Sequence, residues 1–332
     1  MNMQTKTVVS VVALATLIGA LGIAAAATAQ PVSRELPGWV ALESARDYEV
    51  RARYPESSRA LAVGEVDPVR AKRVPAPHSL NTPGVDGLLT VWSSEVSFEA
   101  GQPVVLHVAV TGLPPQDLAR TRVIGEVFDA AGNSIGSVRY RDGGWRDEAR
   151  GDGTFTGVFR FPVERTPQLA ESFLVKVTAE KPNGEILRAA SGFLLSNPHA
   201  KLTGRYEDDL VDGDLVISAE VEVAQAGRFH LAGTLYSASG EPVGWAQAAA
   251  ELTPGTHFIP LTYYGLMFTE RKVTGPFHLG SLALSTTSGM PNAMNDLVEN
   301  AHVTRAWSLE QMTAKPFGNP RLLEAAKRLE AQ

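Results

Sequence analysis

A short acidic run near residue 210 offers the densest set of potential metal ligands in the sequence. The run contains Asp208, Asp209, Asp212 and Asp214. Ca²⁺ binds about six to eight oxygen atoms, and carboxylates on a flexible turn can supply them. We therefore predict weak Ca²⁺ binding here, with a tight turn held by Asp side-chain hydrogen bonds as the alternative. The run departs from the EF-hand spacing, because Leu210 and Ala219 would take the third and twelfth positions.

A glycine-rich segment in the first half of the chain carries a second acidic set. Its carboxylates belong to Asp142, Asp147 and Asp152. The same two interpretations apply to them, a Ca²⁺ site or a set of turns. The segment also contains the tripeptide Arg150-Gly151-Asp152, which matches a receptor-adhesion motif. We interpret this tripeptide as part of a turn, because Gly and Asp favour tight turns and such short matches arise often by chance.

Ser134 lies within a match to the G-x-S-x-G motif of serine hydrolases, which runs from Gly132 to Gly136. In hydrolases this motif joins a strand to a helix, so that the serine oxygen is exposed above a parallel sheet. Here a second strand is predicted over residues 137–141. We therefore predict a hairpin turn and no nucleophilic role for Ser134.

Other residues that could carry catalysis are sparse. The chain has no cysteine, which excludes thiolate metal sites and cysteine nucleophiles. The histidines are scattered singly, and His107 and His230 fall inside predicted strands, so we expect no zinc site. A hydrolase would need carboxylates that face each other across a domain cleft. The candidates are Glu126, Glu148 and Glu270.

Several aromatic residues could line a surface that binds carbohydrate or peptide. They are Trp92, Trp145, Trp245, Trp307, Tyr263 and Tyr264. The alternative is that they pack in the cores, where their large apolar area is buried. Acidic residues outnumber basic ones by 36 to 30, and no dense Lys/Arg cluster is interleaved with aromatic residues. We therefore predict no nucleic-acid partner.

The N-terminus has the pattern of an export signal. Lys6 precedes an uncharged apolar run from Val8 to Ala27, and Ala27-Thr28-Ala29 forms a small-x-small cleavage site. We predict a signal peptide over residues 1–29, a mature chain that begins at Gln30, and a periplasmic or extracellular protein. The alternative is an uncleaved anchor in the inner membrane, because about twenty apolar residues can span a bilayer. The membrane would then be contacted through the N-terminus alone.

After the signal, the sequence predicts an extended Pro-rich connector, two β-sandwich domains and a tail with an amphipathic helix. Their bounds are residues 30–84, 85–197, 198–310 and 311–332. The connector has too many prolines for a sheet interior, with one short helix around Ala41–Arg46. Apolar residues alternate over Val104–Val110, and Asp129–Asn133 reads as a hairpin turn. Pro320 suits the first position of the tail helix.

Two sets of turn motifs resemble those of tandem immunoglobulin-like modules in uncharacterised exported bacterial proteins. The first set runs from Asp142-Gly143-Gly144 to Gly151-Asp152-Gly153-Thr154-Phe155-Thr156-Gly157. The second comprises Gly204-Arg205-Tyr206, Asp212-Gly213-Asp214-Leu215, Ala226-Gly227-Arg228-Phe229, Leu235-Tyr236 and Gly275-Pro276-Phe277. Leu215 stands where the fuller pattern of the acidic loop has its last Gly. The resemblance implies an immunoglobulin-like sandwich for each domain, and it implies no catalytic residues.

Together these features predict an all-β protein of two immunoglobulin-like β-sandwiches in tandem, with a short C-terminal helix. They also predict a non-enzymatic binding or scaffolding role in the bacterial envelope. An envelope protein or a polysaccharide would be the partner, because the loops of such sandwiches carry recognition. Two alternatives stay open, a hydrolase with its site in the interdomain cleft and an accessory subunit of an envelope enzyme complex.

Overall fold

Strands make up most of the described part of the chain, and they form two β-sandwiches. The structure is a computed structural model that describes residues 38–143, 147, 149–162 and 164–331. The predicted all-β class with a short C-terminal helix is confirmed. The predicted signal peptide of residues 1–29 lies outside the described residues, as do Trp145 and Glu148.

Residues 38–84 contain regular elements in place of the predicted extended connector. They form α1 (Gly38–Ala52), β1 (Ser58–Ala60), α2 (Pro68–Ala71) and β2 (His78–Asn81). The short helix predicted around Ala41–Arg46 is present, and it extends over the whole of α1. The prolines occur where a missing N–H group costs least, because Pro68 begins α2 and the others lie outside the strands.

The first sandwich has two sheets around one core. Its further strands are β3 (Leu88–Ser93), β4 (Ser97–Glu99), β5 (Val104–Thr111), β6 (Arg122–Phe128), β7 (Ser134–Arg139), β8 (Arg141–Asp142), β9 (Thr154–Phe159), β10 (Ala170–Glu180) and β11 (Ile186–Ser196). The sheet orders are β4-β11-β10-β6-β7 and β2-β3-β5-β9-β8. As the alternation predicts, Val104, Leu106 and Val108 of β5 are buried, and they share the core with Val175 and Val177 of β10.

The second sandwich repeats this arrangement with longer strands. They are β12 (Ala200–Val211), β13 (Asp214–Val223), β14 (Gly227–Tyr236), β15 (Pro242–Leu252), β16 (Gly255–Tyr263), β17 (His278–Thr286), β18 (Ala293–Met294) and β19 (Val298–Val303). One sheet has the order β1-β15-β14-β17-β18, with β19 also paired to β17, and the other has the order β12-β13-β16. Phe229, Leu231 and Leu235 of β14 are fully buried in its core, as predicted from their shared face.

The segment from β1 to β2 is a structural part of both sandwiches. β1 pairs antiparallel with β15, with Arg59 opposite Trp245, and so extends the second sandwich. β2 pairs antiparallel with β3, with Ser79 opposite Thr90, and so extends the first. Strands this short carry too little alternation to be recognised in a proline-rich segment. The pairing partners, which lie far along the chain, decide the structure there.

Asp67 fastens this segment to the second sandwich. Its carboxylate caps α2 by accepting from the N–H groups of Val69 at 2.8 Å and Arg70 at 3.1 Å. It also accepts from the hydroxyls of Thr234 and Tyr236 on β14, each at 2.6 Å. Burial raises the pKa of this carboxyl, but the donors around it, Ser281, Thr234 and Tyr236 first among them, outweigh burial and hold the pKa below its usual range.

The remaining helices are short, apart from the last. They are α3 (Pro115–Leu118), α4 (Leu266–Arg271), a 3₁₀ turn (Leu309–Gln311) and α5 (Pro320–Glu330), which begins at the predicted proline. Residues Ala52–Asn319 form one compact unit that contains both sandwiches, while α1 up to Arg51 and the segment from Pro320 onward belong to another. None of the described helices combines the length and the hydrophobicity that a membrane crossing requires.

Candidate functional site

The acidic run predicted as a Ca²⁺ loop is mostly strand. Asp208 and Asp209 belong to β12, Asp212 occupies the following hairpin turn with a φ of 54°, and Asp214 begins β13. Alternation along β12 turns Asp208 inward and leaves Asp209 exposed. Among the described residues, the only set of three or more acidic or histidine groups whose ligand atoms lie within 4.8 Å of one another is elsewhere in the chain.

Asp208 already has four protein donors around its carboxylate. It accepts from Nε2 of His302 at 2.7 Å, from Nε1 of Trp307 at 3.0 Å, and from both N and Nε of Arg305 at 3.2 Å. Its side chain is only 6% exposed. Burial raises the pKa of this carboxyl, and the hydrogen bonds from His302, Arg305 and Trp307 outweigh burial and lower it. Asp208 therefore ties the segment after β19 to β12. Ca²⁺ binding by the run stays a prediction, and this geometry favours the turn alternative.

The second acidic set does come together. Ligand atoms of Asp142, Asp147 and Asp152 lie within 4.8 Å of one another. These carboxylates also accept hydrogen bonds from their own segment, Asp147 from the hydroxyl of Thr156 at 3.1 Å and Asp152 from the N–H of Thr154 at 2.8 Å. Hydrogen bonds from an Asp side chain to nearby residues are typical of tight turns, which was the alternative to a Ca²⁺ site.

The two described carboxylates that a hydrolase would use, Glu126 and Glu270, lie apart from each other. Ser134 begins β7, so a strand follows it where a nucleophile elbow requires a helix, and its hydroxyl donates to Oε1 of Glu126 at 2.5 Å. Glu270 lies on α4, accepts from the hydroxyl of Tyr54 at 2.7 Å and forms an ion pair with Arg53. Glu126 and Glu270 thus belong to different sandwiches.

The aromatic residues of the described chain do not share one surface. Tyr263 is fully buried in the second core. Trp92 belongs to the first sandwich, where its ring stacks on His107 with centroids 5.4 Å apart. Trp307 is half-buried in the second sandwich and donates to Asp208. These residues therefore lie in separate parts of the structure. For Tyr263, the alternative prediction of packing in a core is the one that agrees with its position.

The junction of the two sandwiches is joined by direct hydrogen bonds. Nε2 of His199, just before β12, donates to the carbonyl of Gln168 in the first sandwich at 2.8 Å. The hydroxyl of Ser196, at the end of β11, lies 2.6 Å from that of Ser97 and accepts from the N–H of Met294 at 3.1 Å. These bonds cross between the sandwiches at several points, so the junction is a packed interface.

The N-terminal segment adds a third component to the junction. The guanidinium of Arg73, between α2 and β2, donates to the carbonyls of Asn295 at 2.8 Å and Leu284 at 3.0 Å, and to the hydroxyl of Ser285 at 2.9 Å. Nδ2 of Asn295 in turn donates to the carbonyl of Ala200 at 2.8 Å. Asn295 is therefore held from both sides.

Two cavities open at this junction, and Asn295 lines both. One has a volume of about 250 Å³ and is also lined by Glu99 and His199. The other has a volume of about 280 Å³ and is also lined by Arg73 and Asp296. The junction thus offers concave space between the sandwiches, which is a common position for ligand sites.

Two buried atoms at these cavities have no hydrogen-bond partner among the described residues. They are Nδ1 of His199 and Oδ1 of Asn295. His199 is 9% exposed, and because its Nε2 donates to Gln168, its Nδ1 carries a lone pair in the neutral ring. Leaving a buried acceptor unsatisfied costs about 1–3 kcal/mol, so a hydrogen-bond donor placed here is stabilised.

Charge at the junction favours the same kind of ligand. Burial, and then the nearby charge of Asp296, raise the pKa of the Glu99 carboxyl. A positive charge in the cavity would relieve this repulsion. We did not predict Glu99, His199 or Asn295 from the sequence, because Glu99 of the first sandwich meets His199 and Asn295 of the second only when the two sandwiches pack. The only local feature near them in the sequence is Asn197-Pro198, which predicts the boundary between the two domains.

Comparison with known proteins relates the second half of the chain to a family. Residues 199–325 match the family model "Domain of unknown function (DUF4785) C-terminal domain", which covers β12 to β19 and part of α5. No curated protein matches the chain.

Solved structures resemble the chain at low sequence identity. A DUF4785 family protein from Legionella pneumophila is 18% identical with a TM-score of 0.48, and the match covers 66% of this chain and 59% of that one. This chain thus spans about three-fifths of that protein. CopC from Methylosinus trichosporium OB3b is 13% identical, with a TM-score of 0.20 and coverages of 36% and 94%. The Salmonella enterica SafA pilin in complex with the SafB chaperone is 14% identical, with a TM-score of 0.25 and coverages of 68% and 100%.

Proposed function

We propose that this protein is an exported binding or scaffolding protein of the bacterial envelope, without a catalytic role, and that it holds a small ligand where its two sandwiches meet. The observation that carries this proposal is the pair of buried acceptors, Nδ1 of His199 and Oδ1 of Asn295, at the junction cavities. The export signal predicted over residues 1–29 supports the location.

The chemistry of the cavity selects the ligand class. Nδ1 of His199 and Oδ1 of Asn295 accept hydrogen bonds or bind a metal ion, while Glu99 and Asp296 add negative charge. Glu99, His199 and Asn295 line the cavity of about 250 Å³, in which Lys201 is paired with Glu222, whereas Asp296 lines the other cavity beside Arg73. A ligand that carries positive charge and donates hydrogen bonds satisfies Glu99, His199 and Asn295 at once. Small amines and divalent metal ions belong to this class. An anion would face the carboxylate of Glu99 and two lone pairs, which disfavours it.

The construction of the junction supports a scaffolding role. Bonds from the first sandwich, from the second and from Arg73 all converge near Asn295. A site built from packed strands and their ends needs no rearrangement before binding, which lowers the entropy cost of association. Ligand binding would in turn strengthen the contact between the sandwiches.

A hydrolase is the second candidate, because one observation favours it. Glu99 and Asp296 lie near enough at the junction for the charge of Asp296 to raise the pKa of Glu99. A carboxyl with a raised pKa beside an ionised one is the arrangement used for general acid–base hydrolysis. In that case Glu99→Gln would abolish a hydrolytic activity of the purified protein.

The ligand site is tested by thermal unfolding of the purified mature protein with separate panels of small amines and divalent metal ions. A ligand present at a hundredfold excess over its Kd stabilises by about 2.7 kcal/mol, which raises the Tm by about 4 °C in a protein of this size. We expect His199→Gln to remove that shift, because an amide can keep the bond to Gln168 but lacks the imidazole lone pair.

The control is His78→Gln, which changes an exposed histidine of β2. It should leave the ligand-dependent shift intact. If neither panel raises the Tm, or if both variants respond to the ligand like the unaltered protein, the junction is not the binding site.

A further inference from the structure

A strongly basic groove lies on the first sandwich, away from the junction. It has a volume of about 610 Å³, and its lining is formed by residues 119–124 and 139–141. Four of the lining residues are arginines, namely Arg120, Arg122, Arg139 and Arg141. They form two Arg-x-Arg pairs that are far apart in sequence. The groove therefore concentrates positive charge in a protein whose net charge is −6.

Strand pairing brings the two pairs together. β6 and β7 are antiparallel, with Ile124 opposite Arg139, while Arg122 begins β6 and Arg120 lies just before it. Arg141 begins β8, which pairs with β9 in the other sheet, so the chain crosses between the sheets at Tyr140. The N–H of Tyr140 donates to the carbonyl of Val123 at 3.5 Å, which keeps this crossing beside β6. The four arginines therefore line one groove.

The side chains between the arginines form a rigid floor. Thr121, Val123 and Tyr140 are buried, whereas the four arginines are exposed. The Tyr140 ring is packed against Gly125 and Gly157. A Cβ added at either glycine would come within 2.9 Å of the ring, and a Cβ added at Gly157 would also lie 2.6 Å from Val138. The exposed arginines are therefore supported by closely packed, buried side chains.

Among the described residues, none of the four arginines of the groove has an acidic partner. No hydrogen bond or ion pair within the described ranges of the chain joins their guanidinium groups to a carboxylate. Glu180 lies beside Arg122 on the neighbouring strand β10 without forming an ion pair. Like charges on facing strand positions destabilise a sheet. An anion in the groove would reverse that repulsion.

The lining also narrows the kind of anion. The exposed apolar side chains in the lining of the groove are those of Ala119 and Ile124, of which Ile124 is 44% exposed. The one aromatic ring in the lining, that of Tyr140, is buried. A single-stranded nucleic acid would need exposed rings for base stacking, and a membrane surface would need apolar anchors. An acidic peptide added as a strand would bind along the edge of β7, a strand that contains only Arg139 of the four arginines.

We propose that the groove binds an anionic polysaccharide. A carbohydrate chain with repeated carboxylate groups can lie along the groove and meet successive arginines. Each guanidinium offers two parallel N–H donors to a carboxylate, which gives geometric specificity as well as charge neutralisation. This site is independent of the junction cavities, so either can fail without the other.

The test uses polygalacturonate as the probe, with dextran as the neutral carbohydrate. Isothermal titration of the mature protein at low ionic strength should show binding to polygalacturonate that weakens steeply as salt is added. The double variant R122Q/R141Q should weaken binding about tenfold or more, because each lost charge-assisted hydrogen bond is worth about that factor. Dextran should give no heat.

A control variant removes the same charge elsewhere. R188Q/R228Q changes two exposed arginines outside the groove and should leave the affinity for polygalacturonate within about twofold. Equal losses in both double variants would mean that net charge alone attracts the polymer, and the proposed site would be wrong. Absence of binding at low salt would also overturn it, as would tighter binding of oligo-dT or of anionic phosphatidylglycerol vesicles than of polygalacturonate.

Discussion

Nε2 of His199 donates to the carbonyl of Gln168 at 2.8 Å, and this bond joins the start of the second sandwich to the first. The contact fixes the tautomer of the imidazole, because the nitrogen that carries the proton must be Nε2. Nδ1 is left as a buried lone pair at a cavity lined by Glu99 and Asn295. The bond that joins the two sandwiches therefore also leaves Nδ1 of His199 available to accept a hydrogen bond from a ligand or to bind a metal ion.

Asp67 should be a main anchor of the N-terminal segment. Asp67→Asn weakens its bonds to Thr234 and Tyr236, and we expect the free energy of unfolding to fall by about 2–3 kcal/mol in urea titrations. Asp47→Asn, which changes an exposed carboxylate of α1, should cost less than about 0.5 kcal/mol.

The effect of Asp67 should depend on pH. Because folding lowers the pKa of this carboxyl, its contribution is fully present above the unfolded value near 3.8 and is lost as pH falls through the folded pKa. The stability difference between the two proteins should therefore shrink in that acid range. A difference that stays constant down to pH 2 would mean that the charge of Asp67 does not matter.

Asp208 should be structural. Asp208→Asn replaces a buried acceptor of His302, Arg305 and Trp307, and we expect a loss of about 2–4 kcal/mol. The exposed neighbour Asp209 provides the control, since Asp209→Asn should cost less than about 1 kcal/mol.

Asp212→Asn tests the predicted Ca²⁺ site in the acidic run. We expect any difference between the unfolding midpoints in millimolar Ca²⁺ and in EDTA to be the same in this variant as in the unaltered protein, because the donors around Asp208 occupy its carboxylate. A midpoint that rises with Ca²⁺ and no longer rises in Asp212→Asn would instead establish the site in the acidic run.

The folded protein should be more stable when the Glu99 side chain is neutral. Folding raises the pKa of this carboxyl, so the folded state binds its proton more tightly than the unfolded state, and stability is lost as pH rises from about 4.5 through the folded pKa. Glu99→Gln should therefore stabilise the protein at pH 7, by less than about 1 kcal/mol because the side chain is half-exposed. Equal stabilisation at pH 4 and pH 7 would contradict this explanation.

Export should leave a mature chain that begins at Gln30. The small residues at Ala27 and Ala29 suit signal peptidase, and cleavage there removes the whole apolar run. Mass spectrometry of the N-terminal peptide from exported protein measures this directly. Recovery of a membrane-bound chain that still starts at Met1 would establish the anchor alternative.

The sequence predicts those parts of the fold that depend on neighbours along the chain. The alternation of Val104 to Val110 identifies β5, and the Asp129–Asn133 turn correctly joins β6 to β7. β1 was missed because three residues carry no periodic signal, and only the contact with β15 makes them a strand. The acidic run was interpreted as a loop, whereas its alternating burial makes most of it part of β12.

The candidate sites escaped prediction for a related reason. His199 and Gln168 are separated by a whole sandwich strand pair, and nothing local indicates that they meet. The basic groove had a weaker local signal, because Arg120-Thr121-Arg122 and Arg139-Tyr140-Arg141 are each an Arg-x-Arg pair in or beside a predicted strand. Only the pairing of β6 with β7 and the crossing from β7 to β8 bring the two pairs to one groove.

The most direct test of the junction site is a ¹⁵N–¹H spectrum of the histidine rings, recorded while adding the amine or metal ion that raises the Tm. We predict that His199 shows the Nε2–H tautomer before addition, and that its Nδ1 resonance moves on binding while that of His78 stays in place. A proton already on Nδ1 of His199, or an Nδ1 resonance that does not move when the ligand binds, would contradict the proposed site.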